Sequence, residues 1–418
     1  MSAWPRYLYT GLLTLLSPLA LKRLEKEKVN ELSARQRAGQ VSPSKKEVIW
    51  AHCASVGEVL AAEPLLQRLL EDYPDKQLVV TTMTATGAAQ VRQRLPEARH
   101  YLLPLDLPWN TDRFIHTLKP RLALIFETEI WPNLLQSCKK MQVPVMVANG
   151  RLSPKAFKAY RKIRPLMVEA LSKVDLIAAK AQEDADRYIQ LGCDPDKVRV
   201  TGSIKYDLQL PEGIQEQAEA LRQSWQQRPV WIAASTHEGE DELLLAAHQQ
   251  LLKVYPDALL LLVPRHPQRF DAVADCIKAA GCSFSRRSRE EPVYQQTQVY
   301  LCDTLGEMLL LYAAADLAFV AGSLVPIGGH NLLEPAALKT PIITGPHLDN
   351  FAEVADLLRT AGGMKEIQTA TELPALITQL LKDADSCRQM TEAAWQVVEA
   401  NKGALEQQLE QVATFLLD

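Results

Sequence analysis

Glu58 closes the run Ala51-His52-Cys53-Ala54-Ser55-Val56-Gly57-Glu58 and stands in the first turn of a helical segment that follows an apolar strand. A carboxylate there is either a partner of the helix dipole or a general base at the mouth of a sheet. The dipole is expected to hold its pKa low. Two more polar clusters follow apolar runs in the same way. They are Glu127-Thr128-Glu129-Ile130-Trp131-Pro132-Asn133 after LALIF, and Asn149-Gly150-Arg151-Leu152-Ser153 after VPVMVA. Charged groups at three successive strand ends make a polar wall.

The second half of the chain carries residues suited to phosphate. Arg265-His266 follows the apolar run ALLLLVP, where a guanidinium can offer a bidentate fork to an anion. Gly328-Gly329-His330-Asn331 follows LAFVAG and is expected to open a helix at about His330. A glycine pair there lets backbone amides approach a phosphate leaving group, and the helix dipole adds to the attraction. The same sequence also fits a plain glycine turn with a capping Asn. Glu334, one turn further on, can accept hydrogen bonds from ribose hydroxyls. Ser235-Thr236 stands at the end of the run VWIAAS and at an expected helix start, where these residues either cap the helix or face a ligand. Neither GxGxxG nor a P-loop occurs, and no Asp-x-Asp motif lies at a strand end, so no metal or cofactor is expected.

The elements that position these groups alternate. Apolar runs at 48–52, 78–82, 122–126, 143–149 and 176–180 are separated by helical stretches, which implies a parallel sheet covered on both faces. A break near 211–213 is followed by a second series at 230–235, 258–264, 299–303, 317–322 and 341–344. The expected fold is α/β, with two Rossmann-like doubly wound domains whose strand C-termini face a cleft. The expected divisions are residues 1–24, 25–208, 209–395 and a closing helix, 396–418, packing back on the first domain.

A net charge of −4 argues against a nucleic-acid protein, and seven scattered cysteines without a CxxC pair read as reduced thiols. Adjacent His52 and Cys53 on a strand point to opposite faces, which disfavours a Cys–His hydrolase. Tyr7–Leu21 is fifteen residues without a charge, short for a span and interrupted by Pro18. From Lys22 to Lys46 there are eight Lys/Arg against three Glu. An apolar segment beside cations is expected to seat the chain on an anionic cytoplasmic membrane surface. The alternative is an amphipathic helix capping a soluble domain.

Taken in order, SVGE, ETEIWPN, NGRLS, TGSIKYD, STHEGED, PRHPQRF, GEM and GSLVPIGGHNLLEPA resemble the 3-deoxy-D-manno-octulosonic acid (Kdo) transferases of Gram-negative bacteria, from the N-terminus to about residue 360. The resemblance implies the GT-B architecture and inverting transfer of Kdo from CMP-Kdo to the lipid A precursor (lipid IVA) at the inner membrane, without a catalytic metal. It makes Glu58 the general base. Arg265, His266, Met308 and the Gly328-Gly329-His330-Asn331 turn would hold CMP, with Glu334 on its ribose. Glu129, Arg151, Lys205 and Ser235 fall to the Kdo carboxylate or the acceptor. The rival readings are another GT-B transferase or an epimerase using a UDP-sugar, separated by cytidine against uridine binding, and a non-catalytic scaffold of two α/β domains.

Overall fold

A strand covered by helices on both faces has no solvent side and must be apolar along its length. The computed structural model describes residues 3–417. Residues 1, 2 and 418, at the ends of the expected anchor and closing helix, lie outside the described residues, as do the side chains of Ala20 and Leu21. The chain divides into two units. Residues 1–207 and 401–418 form the first, and 208–400 the second.

The first unit holds β1 (Val48–His52), β2 (Gln77–Thr82), β3 (Arg99–Leu102), β4 (Pro120–Phe126), β5 (Val145–Gly150), β6 (Leu176–Ala179) and β7 (Val198–Val200). They form one sheet in the order β3-β2-β1-β4-β5-β6-β7, parallel throughout. The second unit holds β8 (Val230–Thr236), β9 (Leu259–Pro264), β10 (Phe284–Arg286), β11 (Val299–Leu301), β12 (Leu317–Val320), β13 (Ile342–Thr344) and β14 (Met364–Glu366). Their order is β10-β11-β9-β8-β12-β13-β14, also parallel. The strand order reverses between β1 and β4 and between β8 and β12. Connections leave those neighbours toward opposite faces, which opens a crevice beyond their C-termini.

Among the described residues ten strands coincide with the apolar runs in the sequence. The other four, β3, β7, β10 and β14, are the outermost strands of the two sheets, and their sequences, RHYL, VRV, FSR and MKE, are short, polar and partly exposed. An edge strand pairs on one side only and needs little apolar content.

The helix Val56–Asp72 begins where Ser55 accepts a hydrogen bond from the Glu58 amide (3.4 Å). Its buried Val59, Ala62, Leu65, Leu66 and Leu69 recur at helical spacing and lie on the sheet. Leu405, Leu409 and Val412 of the helix Ala404–Leu416 join the same core against Leu122, Leu124 and Met146. The expected boundary at 395/396 falls inside the helix Ala384–Ala400. The turn lies at Asn401–Gly403 instead, where Gly403 takes φ 95°, open to glycine without a Cβ penalty.

The N-terminal helix, Trp4–Leu24, runs unbroken through Pro18 and belongs to the first unit. Its polarity is inverted. Buried Arg6 pairs with Glu169 (3.2 Å) and Thr10 donates to Asn133 Oδ1 (3.1 Å), while Tyr7, Leu8, Leu12, Leu15, Leu16 and Leu19 are 54–79% exposed. Among the described residues no helix is long and apolar enough to cross a membrane.

Asp207, the last residue before the chain leaves the first unit, accepts hydrogen bonds from the amides of Gly403 (2.6 Å) and Leu405 (2.8 Å), and so caps the returning helix. Replacing a cap acceptor by Ala costs about 1 kcal/mol. Asp207→Ala is therefore expected to raise amide hydrogen exchange in Ala404–Leu416 about fivefold while leaving Ala384–Ala400 unchanged.

Candidate active site

The first crevice is built from carboxyl groups. Glu58 turns back from the first helical turn, its Oε2 accepting from the Ala54 amide (2.7 Å) and its Oε1 from the Ser55 hydroxyl (3.2 Å). Contrary to the expectation of a dipole-lowered pKa, the group is pushed up to about 7. Burial is the largest cause, opposed by the Ala54 hydrogen bond and reinforced by the nearby charges of Glu129 and Glu127. A helix terminus contributes roughly 0.3–1 kcal/mol, less than the cost of desolvating a carboxylate among like charges.

Glu127 follows β4 with φ 55°, and burial raises its pKa against the opposing charges of Arg151 and Lys180. Glu129 accepts from Trp131 Nε1 (2.9 Å) and lies 3.7 Å from His52 Nε2. His52 is fully buried at the end of β1. Its Nδ1 lies 3.0 Å from Thr81 Oγ1 and 3.1 Å from Thr81 O, which fixes the ring, and Nε2, aimed at Glu129, has no hydrogen-bond partner. The exposed Arg151 accepts from the Thr128 hydroxyl through its carbonyl. Lys205, on the short turn Ile204–Tyr206, lies 5.1 Å from the Tyr206 ring centroid.

The second crevice gathers imidazole rings. His237 and His330 stack at 5.0 Å with Nε2 atoms 2.8 Å apart, so one donates to the other, and His266 meets His237 edge-on at 5.2 Å. Burial lowers the pKa of His330 to about 4, helped by His237, Arg265 and His266. It also lowers His237, helped by His266, Arg269 and Arg265. Both rings are therefore neutral at neutral pH. Glu334 accepts from Asn331 Nδ2 (3.0 Å), and burial raises its pKa while Arg265 opposes the shift.

A carboxylate that the sequence did not single out, Glu240, ties the two loops of this crevice together. It is fully buried and accepts from the amides of His237 (3.0 Å), Gly322 (2.7 Å), Ser323 (3.2 Å) and Leu324 (3.0 Å). Gly322 has φ 69°, and a Cβ there would lie 2.9 Å from the His330 ring.

Three expectations for this unit change. The helix begins at Leu333 rather than His330, and it is five residues long. The Gly329 amide already donates to Gly322 O (2.8 Å), so the turn is held by its own hydrogen bonds. A Cβ on Gly328 would lie 2.7 Å from Asn350 Nδ2, and one on Gly329 2.8 Å from Leu348, so both glycines answer a packing need. Ser235 is no helix cap. It sits at φ 62° in the irregularity of β8, and the next helix starts at Asp241. Met308 opens the helix Met308–Ala313 and is half-buried against the apolar cluster of Leu311 and Tyr312.

Arg265, His266, His330, Asn331 and Glu334 thus share one crevice, and Glu58 and Glu129 share the other with Glu127. Sequence reasoning left His52, His237, Glu240 and Arg269 unassigned. His237 and Glu240 lie in the STHEGED run, but their roles depend on contacts with residues more than 80 positions away. Among the described residues no His/Cys/Asp/Glu group is arranged to hold a metal ion.

Because the folded state protonates Glu58 at higher pH than the unfolded chain does, it holds the extra proton between the ordinary carboxylate range and about 7. The contribution of Glu58 to stability therefore falls as pH rises through that window. Glu58→Gln keeps an acceptor for the Ala54 amide and cannot ionise. Its Tm advantage over the parent protein is expected to grow from pH 5 to pH 8; a constant difference would contradict the raised pKa.

A family profile described as 3-deoxy-D-manno-octulosonic-acid transferase (kdotransferase) matches residues 32–208. The 3-deoxy-D-manno-octulosonic acid transferase of Haemophilus influenzae is 42% identical over 421 residues, covering 98% of this chain and 99% of the relative. That of Bordetella pertussis is 38% identical over 394 residues, covering 91% and 90%. The crystal structure of a glycosyltransferase from Rickettsia africae aligns with a TM-score of 0.54 over 89% of this chain and 99% of its own, at 15% identity, which is a likeness of fold. The two crevices thus belong to a chain of the 3-deoxy-D-manno-octulosonic acid transferase family, a family of glycosyltransferases.

Proposed function

We propose that the chain transfers Kdo from CMP-Kdo to a sugar hydroxyl of the lipid A precursor, inverting the anomeric centre. The observation that carries this reading is a carboxyl group with a pKa near 7 at the C-terminal end of β1. A base is most effective when its pKa lies near the working pH. The acceptor oxygen forms a bond to the anomeric carbon as the bond from that carbon to the CMP phosphate breaks. The bonding pair leaves with CMP, and the hydroxyl proton passes to Glu58.

Support for an anionic leaving group comes from the second unit. Burial first, and then the neighbouring charge of Arg265, lowers the pKa of both His237 and His330, and a bound phosphate offsets that positive charge. Arg265 is assigned to the charge developing on the phosphate, a role worth roughly 10²–10³ in rate. Glu334 and Asn331 are assigned to the nucleoside, and Glu129, Arg151, Lys205 and Ser235 to Kdo or the acceptor.

Glu58→Gln is expected to lower transfer by about 10²–10⁴ while CMP-Kdo binding by calorimetry stays within twofold. Transfer is followed by mass spectrometry as Kdo-sized increments on the acceptor. In the parent protein kcat/KM should fall as pH drops through about 7, where Glu58 takes up its proton. Normal turnover in the variant would remove Glu58 from this role, and stabilisation by uridine rather than cytidine nucleotides would move the donor to a UDP-sugar.

We also infer that the N-terminal helix docks on the cytoplasmic face of the inner membrane. The support is its exposed apolar face beside exposed Lys22, Arg23, Lys26 and Lys28. Deleting the helix would also uncover Glu169 and Asn133, so point substitutions separate docking from stability better. Leu12→Asp with Leu16→Asp is expected to cut co-sedimentation with anionic vesicles at least about tenfold at unchanged Tm.

A further inference from the structure

A cavity of about 290 Å³ in the first unit connects the N-terminal helix to the carboxyl crevice, because both Tyr9 and Glu129 line it. Its walls are apolar: the rings of Tyr9, Trp131 and Tyr160 and the aliphatic side chains of Ile163, Leu166 and Met167. Leu166 and Met167 are buried, whereas Ile163 is 45% exposed. Polar side-chain lining comes mainly from Glu129 and Thr128, and Glu129 also faces His52 in the crevice.

The surface beside the cavity is strongly basic. From Leu152 to Val168 the chain contains no acidic residue, and Lys155, Lys158, Arg161, Lys162 and Arg164 are all exposed. Tyr160 and Ile163, which line the cavity, belong to this same segment. The helix Arg164–Leu171 then packs on the N-terminal helix, whose opposite face is exposed and apolar.

We propose that the cavity takes one acyl chain of an anionic amphiphilic acceptor whose phosphate-bearing headgroup meets the basic segment Lys155–Arg164. This rests on the reading that the acceptor is a membrane lipid. Three features select that occupant. The apolar walls reward a hydrocarbon chain. A sugar ring, with a hydroxyl on most carbons, would leave polar groups unmatched against Leu166 and Met167. The cations complement an anionic headgroup, and the cavity reaches Glu129, so a chain seated in it tethers the headgroup beside the crevice.

The test compares the full-length protein on two detergent-dispersed acceptors with the same phosphorylated disaccharide, one acylated and one deacylated. The parent protein should prefer the acylated acceptor in kcat/KM, and shortening the chain should lower that preference by about fourfold per methylene withdrawn from the cavity. Ile163→Trp narrows the mouth at a partly exposed position, and Ile163→Asp places a charge there. Each is expected to reduce the acylated-to-deacylated ratio of kcat/KM at least tenfold at unchanged Tm. An unaltered ratio in both variants, or equal use of the two acceptors by the parent, would overturn the inference while leaving Kdo transfer intact. Failure of the parent to use either acceptor would overturn the lipid-acceptor reading and this inference with it.

Discussion

In a parallel sheet each crossover must cover one face or the other, and the strand order reverses where the chain changes face. Between β1 and β4, and again between β8 and β12, this geometry drives neighbouring connections apart at the strand C-termini. The groups with unusual electrostatics lie at these two points. Glu58 follows β1 and Glu127 and Glu129 follow β4; His237 follows β8 and the Gly322 loop follows β12. The surrounding strands are apolar and fully paired, so they hold these loops rigidly. Such rigidity is needed to keep like charges in proximity against their repulsion.

In each crevice burial and neighbouring charge act together. Burial, reinforced by Glu129 and Glu127, raises the proton affinity of Glu58, and burial, helped by nearby positive charge, lowers that of His330. Such clusters oppose folding and persist because the scaffold offsets them. Glu240 illustrates how the fold does this. Four backbone amides satisfy it, and it fixes the loop that carries Gly322 against the stacked histidines. The loop is thereby held in place through its own backbone amides.

The sequence makes the inner strands and most of both crevices legible, because strands buried on two faces leave uniform apolar runs and strand ends are marked by sudden polarity. The four edge strands escape notice because RHYL, VRV, FSR and MKE satisfy one pairing partner with little apolar content. The Glu58 proton affinity is hidden for a different reason. Helix position is local and readable, whereas desolvation and the approach of Glu129, seventy-one residues away, arise only on folding. For the same reason the glycine pair at 328–329 reads as an anion cradle in the sequence, although Asn350 and Leu348 supply the contacts that require it.

The N-terminal helix shows how a segment can answer to two solvents. A helix on a soluble domain places its apolar stripe inward. Here Arg6, Tyr9 and Thr10 face the protein and meet Glu169, Asp106 and Asn133, while the leucines face out. Burying Arg6 without Glu169 would leave a desolvated charge, so the polar contacts fix the helix in rotation as well as in place. A fixed rotation is what turns the leucines into a continuous outward face, since a helix held only by apolar contacts would bury that face itself. The same contacts place Tyr9 in the wall of the cavity that Trp131 and Glu129 also line. The orientation of the outward surface and the shape of the cavity leading toward the crevice are therefore set by one group of buried polar interactions.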